Sequence, residues 1–448
     1  AHFELGGSAF AQVLNKIGDK APTVTDAEGF KTAFNVLQSL IKEGKIQAGH
    51  DIGSGGLITT LLEMCFAEND LGATIDLSGL SADEALVKPL FAENAGVVIQ
   101  ADSSIEATLE AHFLEWANIG EVTTSQELTI HHFGRDYHFN IPELRDVWYL
   151  TSYLLDKQQT ANDKATERYQ NYSEQPLQYT FPAHFTGEKP VKPQGKRPVA
   201  AVIREKGSNS EREMANALYL AGFDVKDVHT TDLTSGRETL EDVQFIGAVG
   251  GFSNSDVLGS AKGWAGALLY NEKAKKALDN FFARPDTLSV GICNGCQLFM
   301  ELELINPEHS EHGKMKHNDS HKHETGFVSV TIPENNSVML STLSGTTLGV
   351  WISHGEGKFY LPMEEKDYNI VGKYTYEGYP ANPNGSDYQA AMLCDKTGRH
   401  LVTMPHIERS VFPWQWPYYV GLRGAVTPWL EAFVNARKWI EAQNAQQQ

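Results

Sequence analysis

The first part of the chain alternates helical patterns with short apolar runs. Residues 30–46 have apolar side chains three and four positions apart, which predicts an amphipathic helix. The apolar positions of this helix are Phe30, Phe34, Leu37, Leu40 and Ile41. A second helix is predicted over residues 57–67, and a strand over 95–101 precedes a turn and another helix. Strand-like residues 129–141 then lead to a helix, rich in Trp and Tyr, that ends near Asp156.

These elements predict a first α/β domain over residues 1–155, and the pattern changes after it. Residues 157–196 are polar and irregular, and the sequence KPVKPQGKRP near their end has three prolines in ten residues. Prolines at this density are typical of connecting chain. We interpret residues 156–196 as a linker or a segment that wraps around a neighbouring domain.

The hydrophobic pattern changes at residue 197, after which short apolar runs alternate with helical stretches. The runs are PVAAVI, FDVKDVHT, FIGAVG and LSVGIC. Continuous apolar strands of this kind indicate a mostly parallel sheet with helices on both faces. Ser210 is the expected N-cap of the first helix. The sequence predicts a doubly wound α/β domain over residues 197–441 and a polar tail over 442–448, with ligands at the carboxyl ends of the strands.

Cys293 stands where a buried strand is predicted to end and a helix to begin. Gly291 and Gly295 flank it, two residues away on each side. This layout is typical of a nucleophile elbow, a tight strained turn that needs small neighbours and exposes the reactive side chain. The helix N-terminus favours a thiolate at this position. The sequence therefore predicts that Cys293 is a nucleophile.

Backbone amides near this turn are candidates for an oxyanion hole. Gly250 and Gly251 end the run FIGAVG-G, and without a Cβ atom their backbone can approach a substrate closely. We expect the N–H groups of Gly251 and Asn294 to stabilise the negative charge of a reaction intermediate.

A cysteine nucleophile needs a base, and His406 is the candidate. Glu408 lies two residues further on, so both side chains face the same way in an extended segment. The carboxylate can orient the imidazole, which completes a Cys–His–Glu arrangement.

The motif Gly291-x-Cys293-x-Gly295-x-Gln297, with His406-x-Glu408 downstream, is similar to the signature of the class I, or triad, glutamine amidotransferases. Further segments narrow the resemblance to the glutaminase domain of the large, single-chain formylglycinamidine synthases. These segments are GGFSNSDVLGSAKGW, HNDSHKHE, ISHGEGKF and YPANPNGS. In the first 155 residues, LGGSAFAQ, HDIGSGGL and LFAENAGVVIQ resemble the second synthase-like half of the same family.

The resemblance implies roles for these residues. Cys293 would attack the side-chain amide of glutamine, His406 would act as general base and acid, and Glu408 would orient it. The amino-acid end of glutamine would bind near Gln297 and the segment from His354 through Gly355 and Glu356 to Gly357. Glutamine hydrolysis needs no cofactor, whereas the complete synthase reaction uses ATP and Mg²⁺.

The resemblance also implies a partner. Ammonia would pass to synthase domains that precede this chain in a longer protein. Residues 1–155 would form one subdomain, similar to the C-terminal part of the aminoimidazole-ribonucleotide-synthetase-like fold, and would be incomplete alone. The chain departs from the family at Asn254, Ser255 and Ile407, and its HDIGSGG has Gly53 and Ser54 where the family commonly has Ser and Asp.

Composition narrows the range of partners and locations. A formal charge of −20 at pH 7 and a pI near 5.2 predict no nucleic-acid partner and no binding to anionic membranes, because phosphates attract basic surfaces. The sequence contains no run of about 18 apolar residues, so no membrane span is predicted. Four cysteines in 448 residues favour a reducing cytoplasm over a disulfide scaffold. The beginning AHFELGGSAF does not resemble a signal peptide, and we expect that a longer chain precedes it.

Alternatives remain open for several of these residues. Cys293 and Cys296 form a CxxC pair that could be redox-active or half of a zinc site, which the histidines at 317, 321 and 323 would complete. Asp51 is a candidate metal ligand or a helix-capping residue. The whole chain could instead be another triad amidotransferase, a γ-glutamyl hydrolase, or a catalytically silent assembly module.

Overall fold

The computed structural model describes residues 3–67, 69–80, 85–174, 177–191, 193–419 and 424–446. The chain divides into two compact units, Ala1–Leu154 and Leu155–Gln448. The predicted domain boundary at residue 155 lies beside this division. Within the described ranges, no helix is both long and apolar enough to cross a membrane.

The first unit contains two small sheets and several helices. In chain order, its elements are α1 (Ala9–Val13), α2 (Ala27–Lys42), β1 (Ile46–Asp51), α3 (Gly56–Phe66), β2 (Gly72–Asp76), α4 (Val87–Phe91), β3 (Val97–Ala101), α5 (Glu106–Ala111), β4 (Gly120–Thr123), β5 (Glu127–His132), β6 (Arg135–Asn140) and α6 (Ile141–Asp156). One sheet has the order β4-β2-β5-β6, and β1 pairs with β3 in antiparallel orientation. Apolar residues of α3, β2 and β5 form the core.

The predicted helix over residues 30–46 is shorter at its end and differs in its buried face. Helix α2 ends at Lys42 because the chain turns at Gly44, which has a φ of +69° and donates its N–H to the carbonyl of Ile41. Phe30 and Phe34 are about half exposed, at 52% and 55%. The helix packs through Val36 and Leu40 instead. The helices predicted over 57–67 and up to Asp156 and the strand predicted over 95–101 are present. The strand-like residues 129–141 instead form two antiparallel strands, β5 and β6, joined by a turn at Gly134.

The second unit is built around one large sheet. Its elements are α7 (Lys164–Asn171), β7 (Val199–Arg204), α8 (Glu211–Ala221), β8 (Asp224–His229), α9 (Thr230–Ser235), β9 (Phe245–Ala248), α10 (Lys262–Leu269), α11 (Glu272–Ala283), β10 (Leu288–Ile292), α12 (Asn294–Glu301), β11 (Lys314–Lys316), β12 (Glu324–Ile332), β13 (Thr346–His354), β14 (Lys358–Tyr360), β15 (Asn369–Tyr374), β16 (Ala390–Cys394), β17 (His400–Thr403) and α13 (Trp429–Gln446). The nine strands of the sheet have the order β13-β12-β15-β16-β17-β10-β9-β7-β8.

The sheet confirms the predicted α/β class and adds a feature that the sequence did not predict. The strands from β17 through β10, β9 and β7 to β8 pair in parallel. Strands β9 and β10 are buried along their whole length, as expected for strands covered on both faces. At the other end of the sheet, β13, β12, β15 and β16 join in antiparallel pairs that continue to β17.

The parallel part of the sheet determines where the candidate site forms. Strand β10 lies between β9 and β17, with Gly291 beside Ala248 and Ile292 beside Thr403. Because parallel strands end at the same edge, the residues that follow β9, β10 and β17 lie together. Gly250, Cys293 and His406 follow these three strands.

The segment predicted to be an irregular linker contains a helix and is attached to the large sheet. Helix α7 is almost entirely polar, so its sequence has no apolar stripe to indicate a helix. Further along, Thr180 exchanges two backbone hydrogen bonds with Thr347 on β13, at 2.9 and 3.1 Å. Residues 155–196 therefore belong to the second compact unit.

Candidate functional site

Cys293 occupies a strained turn between β10 and α12. Its φ is +54° and its ψ is −106°, outside the regions that side-chain-bearing residues favour. The turn is held by a hydrogen bond from the Cys293 N–H to the carbonyl of Thr403 at 2.8 Å. The Sγ atom lies 3.6 Å from the carbonyl oxygen of Ser353. The structure thus has the strained turn expected of an elbow, but the Cys293 side chain is buried rather than exposed as predicted.

The two glycines beside this turn are required by close packing. A Cβ atom at Gly291 would lie 2.5 Å from the carbonyl oxygen of Gly295. A Cβ atom at Gly295 would overlap the carbonyl oxygen of Ala248 on β9. Helix α12 can therefore approach β9 only because residue 295 has no side chain.

We expect Gly295→Ala to lower the free energy of unfolding by about 2 kcal/mol or more, because backbone atoms must move to accommodate the methyl group. The matched control is Gly266→Ala, in the interior of α10, where a new Cβ atom would be 3.9 Å from its nearest neighbour, Tyr270. That variant should gain roughly 0.5–1 kcal/mol from helix propensity. Urea unfolding of both variants provides the measurement. Equal stabilities would show that α12 does not need the close approach to β9.

His406 and Glu408 form a buried pair beside Cys293. The Nδ1 atom of His406 donates to Oε1 of Glu408 at 2.7 Å. Both side chains are almost fully buried. A ring N–H bound to a carboxylate fixes the tautomer and the orientation of an imidazole, and leaves Nε2 for proton transfer. The Cβ atom of a residue larger than glycine at position 250 would lie 2.8 Å from Cε1 of His406, so Gly250 forms one wall of this site.

The electrostatics of the pair favour an imidazolium. Burial lowers the pKa of His406, but the charge of Glu408, together with the charge of Cys293 and a hydrogen bond to it, outweighs burial and raises the pKa well above its ordinary value. For Glu408, burial raises the pKa, and the charge and hydrogen bond of His406 reverse this and lower it. The site therefore stabilises a charged imidazole beside the sulfur, which is the arrangement that activates a cysteine nucleophile.

Ser210 has a role that differs from the predicted one. It does precede α8, but its φ is +69° and its side chain makes no capping hydrogen bond. Its Oγ atom instead accepts the N–H of Gly250 at 3.3 Å. Gly251 follows with a φ of +111°, a conformation that favours glycine, and its backbone packs against Ser208. The backbone at the end of β9 is therefore fixed beside the Cys293 turn.

A chain of buried amides joins α12 to the neighbouring loops. The side chain of Asn294 accepts the N–H of Ser253 at 3.2 Å and donates to Gln297 at 2.9 Å. Gln297 in turn donates to the carbonyl of Glu356 at 2.8 Å. The carboxylate of Glu356 accepts the N–H of Ser260 at 3.3 Å. The substrate-binding residues predicted at 294, 297 and 356 are thus linked to one another.

Asn318 organises the segment that begins at His354, and the sequence did not single it out. Its side chain is fully buried, donates to the carbonyl of His354 at 2.7 Å and accepts the N–H of Gly357 at 2.9 Å. Its own N–H donates to the carbonyl of Gly355 at 2.9 Å. Asn318 lies in the motif HNDSHKHE, whose His317, His321 and His323 are exposed.

His354 is buried and neutral. Burial, together with the nearby His406 and His323, lowers its pKa to about 3. Neither ring nitrogen has a hydrogen-bond partner among the described residues. A Cβ atom at Gly357 would collide with the His354 ring, so the turn from β13 into β14 folds tightly over this side chain. The backbone of residues 354–357, rather than the imidazole, faces the amide chain described above.

The other three cysteines lie outside the strained turn. Burial, and then the neighbouring Cys293, raises the pKa of Cys296 well above its ordinary value. Cys65 and Cys394 are buried free thiols as well. Among the described residues, no three His, Cys, Asp or Glu side chains are grouped so that they could hold a metal ion. The CxxC pair therefore has no partner residues for a zinc site within that part of the chain.

Asp51 ends β1 and is exposed. The alternative that it caps the next helix is wrong, because α3 begins after Gly55, which makes no side-chain cap. The backbone carbonyl of Asp51 accepts the hydroxyl of Thr60 at 3.1 Å. Nδ1 of His50 lies 3.6 Å from its carboxylate.

Comparison with protein-family models assigns the class of protein. The family model for the CobB/CobQ-like glutamine amidotransferase domain matches residues 197–440, which is more than half of the chain. The chain therefore belongs to the CobB/CobQ-like glutamine amidotransferase family. A second family model, for the C-terminal domain of AIR synthase related proteins, matches residues 3–133.

Two curated proteins and one solved structure are similar to this chain. The chain is 38% identical over 477 residues to the probable phosphoribosylformylglycinamidine synthase, chloroplastic/mitochondrial, of Arabidopsis thaliana, and the match covers 98% of this chain and 33% of that protein. It is 36% identical over 473 residues to the phosphoribosylformylglycinamidine synthase of Homo sapiens, covering 97% and 35%. A solved PurLQS structure from Thermotoga maritima has 24% identity and a TM-score of 0.43, covering 56% of this chain and 100% of that one. The chain spans about a third of the length of these curated relatives.

Proposed function

We propose that this chain hydrolyses glutamine to glutamate and ammonia, with Cys293 as nucleophile, His406 as general base and acid, and Glu408 as the residue that orients His406. The observation that carries the proposal is the buried His406–Glu408 pair beside the thiol of a strained strand–helix turn. Membership of the amidotransferase family supports the choice of substrate.

In the proposed reaction, the Cys293 thiolate attacks the side-chain carbonyl carbon of glutamine and forms a tetrahedral intermediate. The N–H groups of Gly251 and Asn294 stabilise its oxyanion, and each such donor contributes about 3 kcal/mol in comparable sites. His406 gives its proton to the leaving nitrogen, and ammonia and a γ-glutamyl thioester result. Water, deprotonated by His406, then hydrolyses the thioester, releases glutamate and restores the thiolate.

The glutamine backbone groups are proposed to bind near Gln297 and the segment from His354 through Gly355 to Glu356. The amide chain supports this placement, since Gln297, four residues after the nucleophile Cys293, donates to the carbonyl of Glu356. Gly250 contributes by its lack of a side chain, which leaves space beside His406.

We further propose that the ammonia serves the synthase reaction named for the relatives, the ATP-dependent conversion of formylglycinamide ribonucleotide to formylglycinamidine ribonucleotide in purine biosynthesis. In this reading the chain works as part of a glutamine-hydrolysing carbon–nitrogen ligase. The two matches, 98% and 97% of this chain to synthases almost three times as long, support it. ATP and Mg²⁺ would serve this larger reaction, and the partners would be synthase domains that precede these residues in a longer chain.

The two family matches support a division of the chain into three parts and a tail as a proposal. Residues 1–155 would be a synthetase-like subdomain, 156–196 a connector, and 197–441 the glutaminase, with 442–448 as a tail. The two family matches, 3–133 and 197–440, fall within the first and third parts. In the first part, Asp51 is proposed as a contact for Mg²⁺, which commonly binds one or two carboxylates together with substrate phosphates. The four free thiols are consistent with a cytoplasmic location, although the name of the plant relative assigns that protein to chloroplasts or mitochondria.

The test is release of ammonia and glutamate from glutamine by the purified 448-residue chain. We expect equal amounts of both products and turnover on the order of 0.01–1 s⁻¹, below the usual range for enzymes, because the chain lacks the domains proposed to receive ammonia. Asparagine serves as the control substrate and should not react measurably. Release of γ-linked glutamate from a γ-glutamyl peptide without glutamine hydrolysis would refute the proposal in favour of a γ-glutamyl hydrolase.

A further inference from the structure

A segment that precedes the matched amidotransferase region holds one loop of the candidate site. We call residues 156–172 the connector segment and residues 317–324 the His-rich loop. The N–H of Ala161 in the connector segment donates to the carbonyl of Ser320 in the loop at 2.9 Å. The side chain of Asn162 donates to a second carbonyl of the loop at 2.7 Å. The connector segment therefore fixes the backbone of the His-rich loop directly.

Charged side chains reinforce this attachment. The anchor cluster consists of Asp156, Thr160, Arg168, Lys322, Glu324 and Tyr379. Asp156, which is 8% exposed, accepts hydrogen bonds from Lys322 at 2.7 Å and from Arg168 at 3.1 Å. Arg168 also lies 3.5 Å from the carboxylate of Glu324 and packs over the ring of Tyr379. The Tyr379 hydroxyl donates to Glu324 at 3.0 Å.

The charges in this cluster depend on one another. Burial raises the pKa of Asp156, but hydrogen bonds from Lys322 and Thr160 and the charge of Arg168 outweigh it and hold the pKa below its ordinary value. Asp156 is therefore ionised at neutral pH. Loss of the Lys322 charge would leave a carboxylate that is mostly buried with only part of its compensation, and the loop would lose its attachment.

The His-rich loop connects the anchor cluster to the candidate glutamine site through Asn318. The Asn318 side chain donates both to the carbonyl of Lys322, at 3.0 Å, and to that of His354, at 2.7 Å. It also accepts the N–H of Gly357. A shift of Lys322 therefore changes the position of the residue that holds the 354–357 backbone.

We propose that Asp156, Arg168 and Lys322 are positioning residues for glutamine binding, and that the connector segment is part of the working glutaminase although it lies outside the family match. This inference rests on the proposed function, because it assigns the amino-acid end of glutamine to residues 354–357. The anchor cluster contacts neither Cys293 nor His406 in any hydrogen bond or ion pair of the described residues. Its loss should therefore weaken binding of glutamine more than it slows the chemical step.

The kinetic test uses Lys322→Met in the full 448-residue chain. We expect KM for glutamine to rise about tenfold while kcat stays within about threefold, less than the hundredfold that a misplacement of 1 Å can cost. Lys322→Arg keeps the charge and should restore KM to within about threefold of the unmodified chain. Asp156→Asn, which breaks the same ion pair from the connector side, should give the same split between KM and kcat.

Lys226→Met is the matched control. Lys226 also holds two carboxylates, Asp242 at 2.7 Å and Glu238 at 3.3 Å, but it lies on β8, away from the His-rich loop. Lys226→Met should leave KM for glutamine unchanged. If Lys322→Met lowered kcat as strongly as it raised KM, or if Lys226→Met raised KM equally, the effect would be general loss of structure and the proposal would be wrong.

Amide hydrogen exchange tests the same inference without any glutaminase assay. In Lys322→Met, exchange should quicken about tenfold or more in peptides that contain Asn318 and Gly357, whose N–H groups are hydrogen-bonded, and should not change in peptides from β7. Unchanged exchange at Gly357 would overturn the proposal. If the unmodified chain hydrolysed no glutamine, the proposed function would be refuted, and the exchange result would still decide whether the connector segment positions this backbone.

Discussion

Cys293→Ala is expected to abolish glutamine hydrolysis, with a loss on the order of 10⁴-fold or more, because no other group in the site can form the thioester. Cys296→Ala should keep kcat within about threefold, since that thiol points into the core from the first turn of α12. Burial, the first cause of its raised pKa, also keeps Cys296 protonated at neutral pH. Ammonia release from glutamine is the measurement for both variants.

Cys296→Ala also serves as the control for folding, because it removes a buried sulfur from the same helix. It should cost about 1–2 kcal/mol of stability from the small cavity it leaves. Alkylation with iodoacetamide gives a second readout, which should label the peptide at Cys293 and leave Cys296 unmodified. If Cys296→Ala were inactive and Cys293→Ala were active, the nucleophile would be Cys296 and the assignment of Cys293 would be wrong.

His406→Ala and Glu408→Gln are expected to differ greatly in effect. Removal of His406 eliminates proton transfer and should lower kcat on the order of 10⁴-fold, whereas Glu408→Gln removes orientation and charge and should cost on the order of 10²-fold. Steady-state rates of ammonia release at saturating glutamine compare the two. Equal losses would show that Glu408 takes part in more than orienting the imidazole.

The pH dependence of Glu408→Gln provides an independent readout. The imidazolium is lost as pH rises through the pKa of His406, which the charge of Glu408 raises against the opposing effect of burial. Without that charge the pKa of His406 falls, so the alkaline limb of kcat/KM should move to lower pH. An alkaline limb at the same pH in both proteins would show that His406 does not set it.

The residues that the sequence identified all belong to short motifs, in which the residue types and their spacing determine the local geometry. The glycines around Cys293 and the spacing of His406 and Glu408 describe short pieces of backbone, and local geometry follows from residue type at a fixed spacing. The apolar runs of β9 and β10 likewise indicated buried parallel strands, and the sheet has them. The predicted roles of these side chains in glutamine hydrolysis stay predictions until the variants are measured.

What the sequence could not predict depends on contacts between distant segments. Ser210 looks like a helix cap, yet its hydroxyl accepts an N–H from Gly250, 40 residues away. Asn318 and Lys322 find their partners at separations of 36 to 166 residues. The exposed Phe30 and Phe34 of α2 show the same limit, since apolar spacing indicates a face and not what covers that face.

The arrangement of β9, β10 and β17 as direct neighbours has a consequence for how such chains can evolve. The distance between thiol and imidazole is set by the spacing of adjacent strands, about 4.8 Å, and not by the length of chain between them. Residues 302–399 lie between α12 and β17, and they include Asn318 and His354. Changes of loop length in that stretch can alter the segments that contain Asn318 and His354 without altering the spacing between β10 and β17. Under the proposed function, selectivity for glutamine can thus vary while the spacing of thiol and imidazole stays the same.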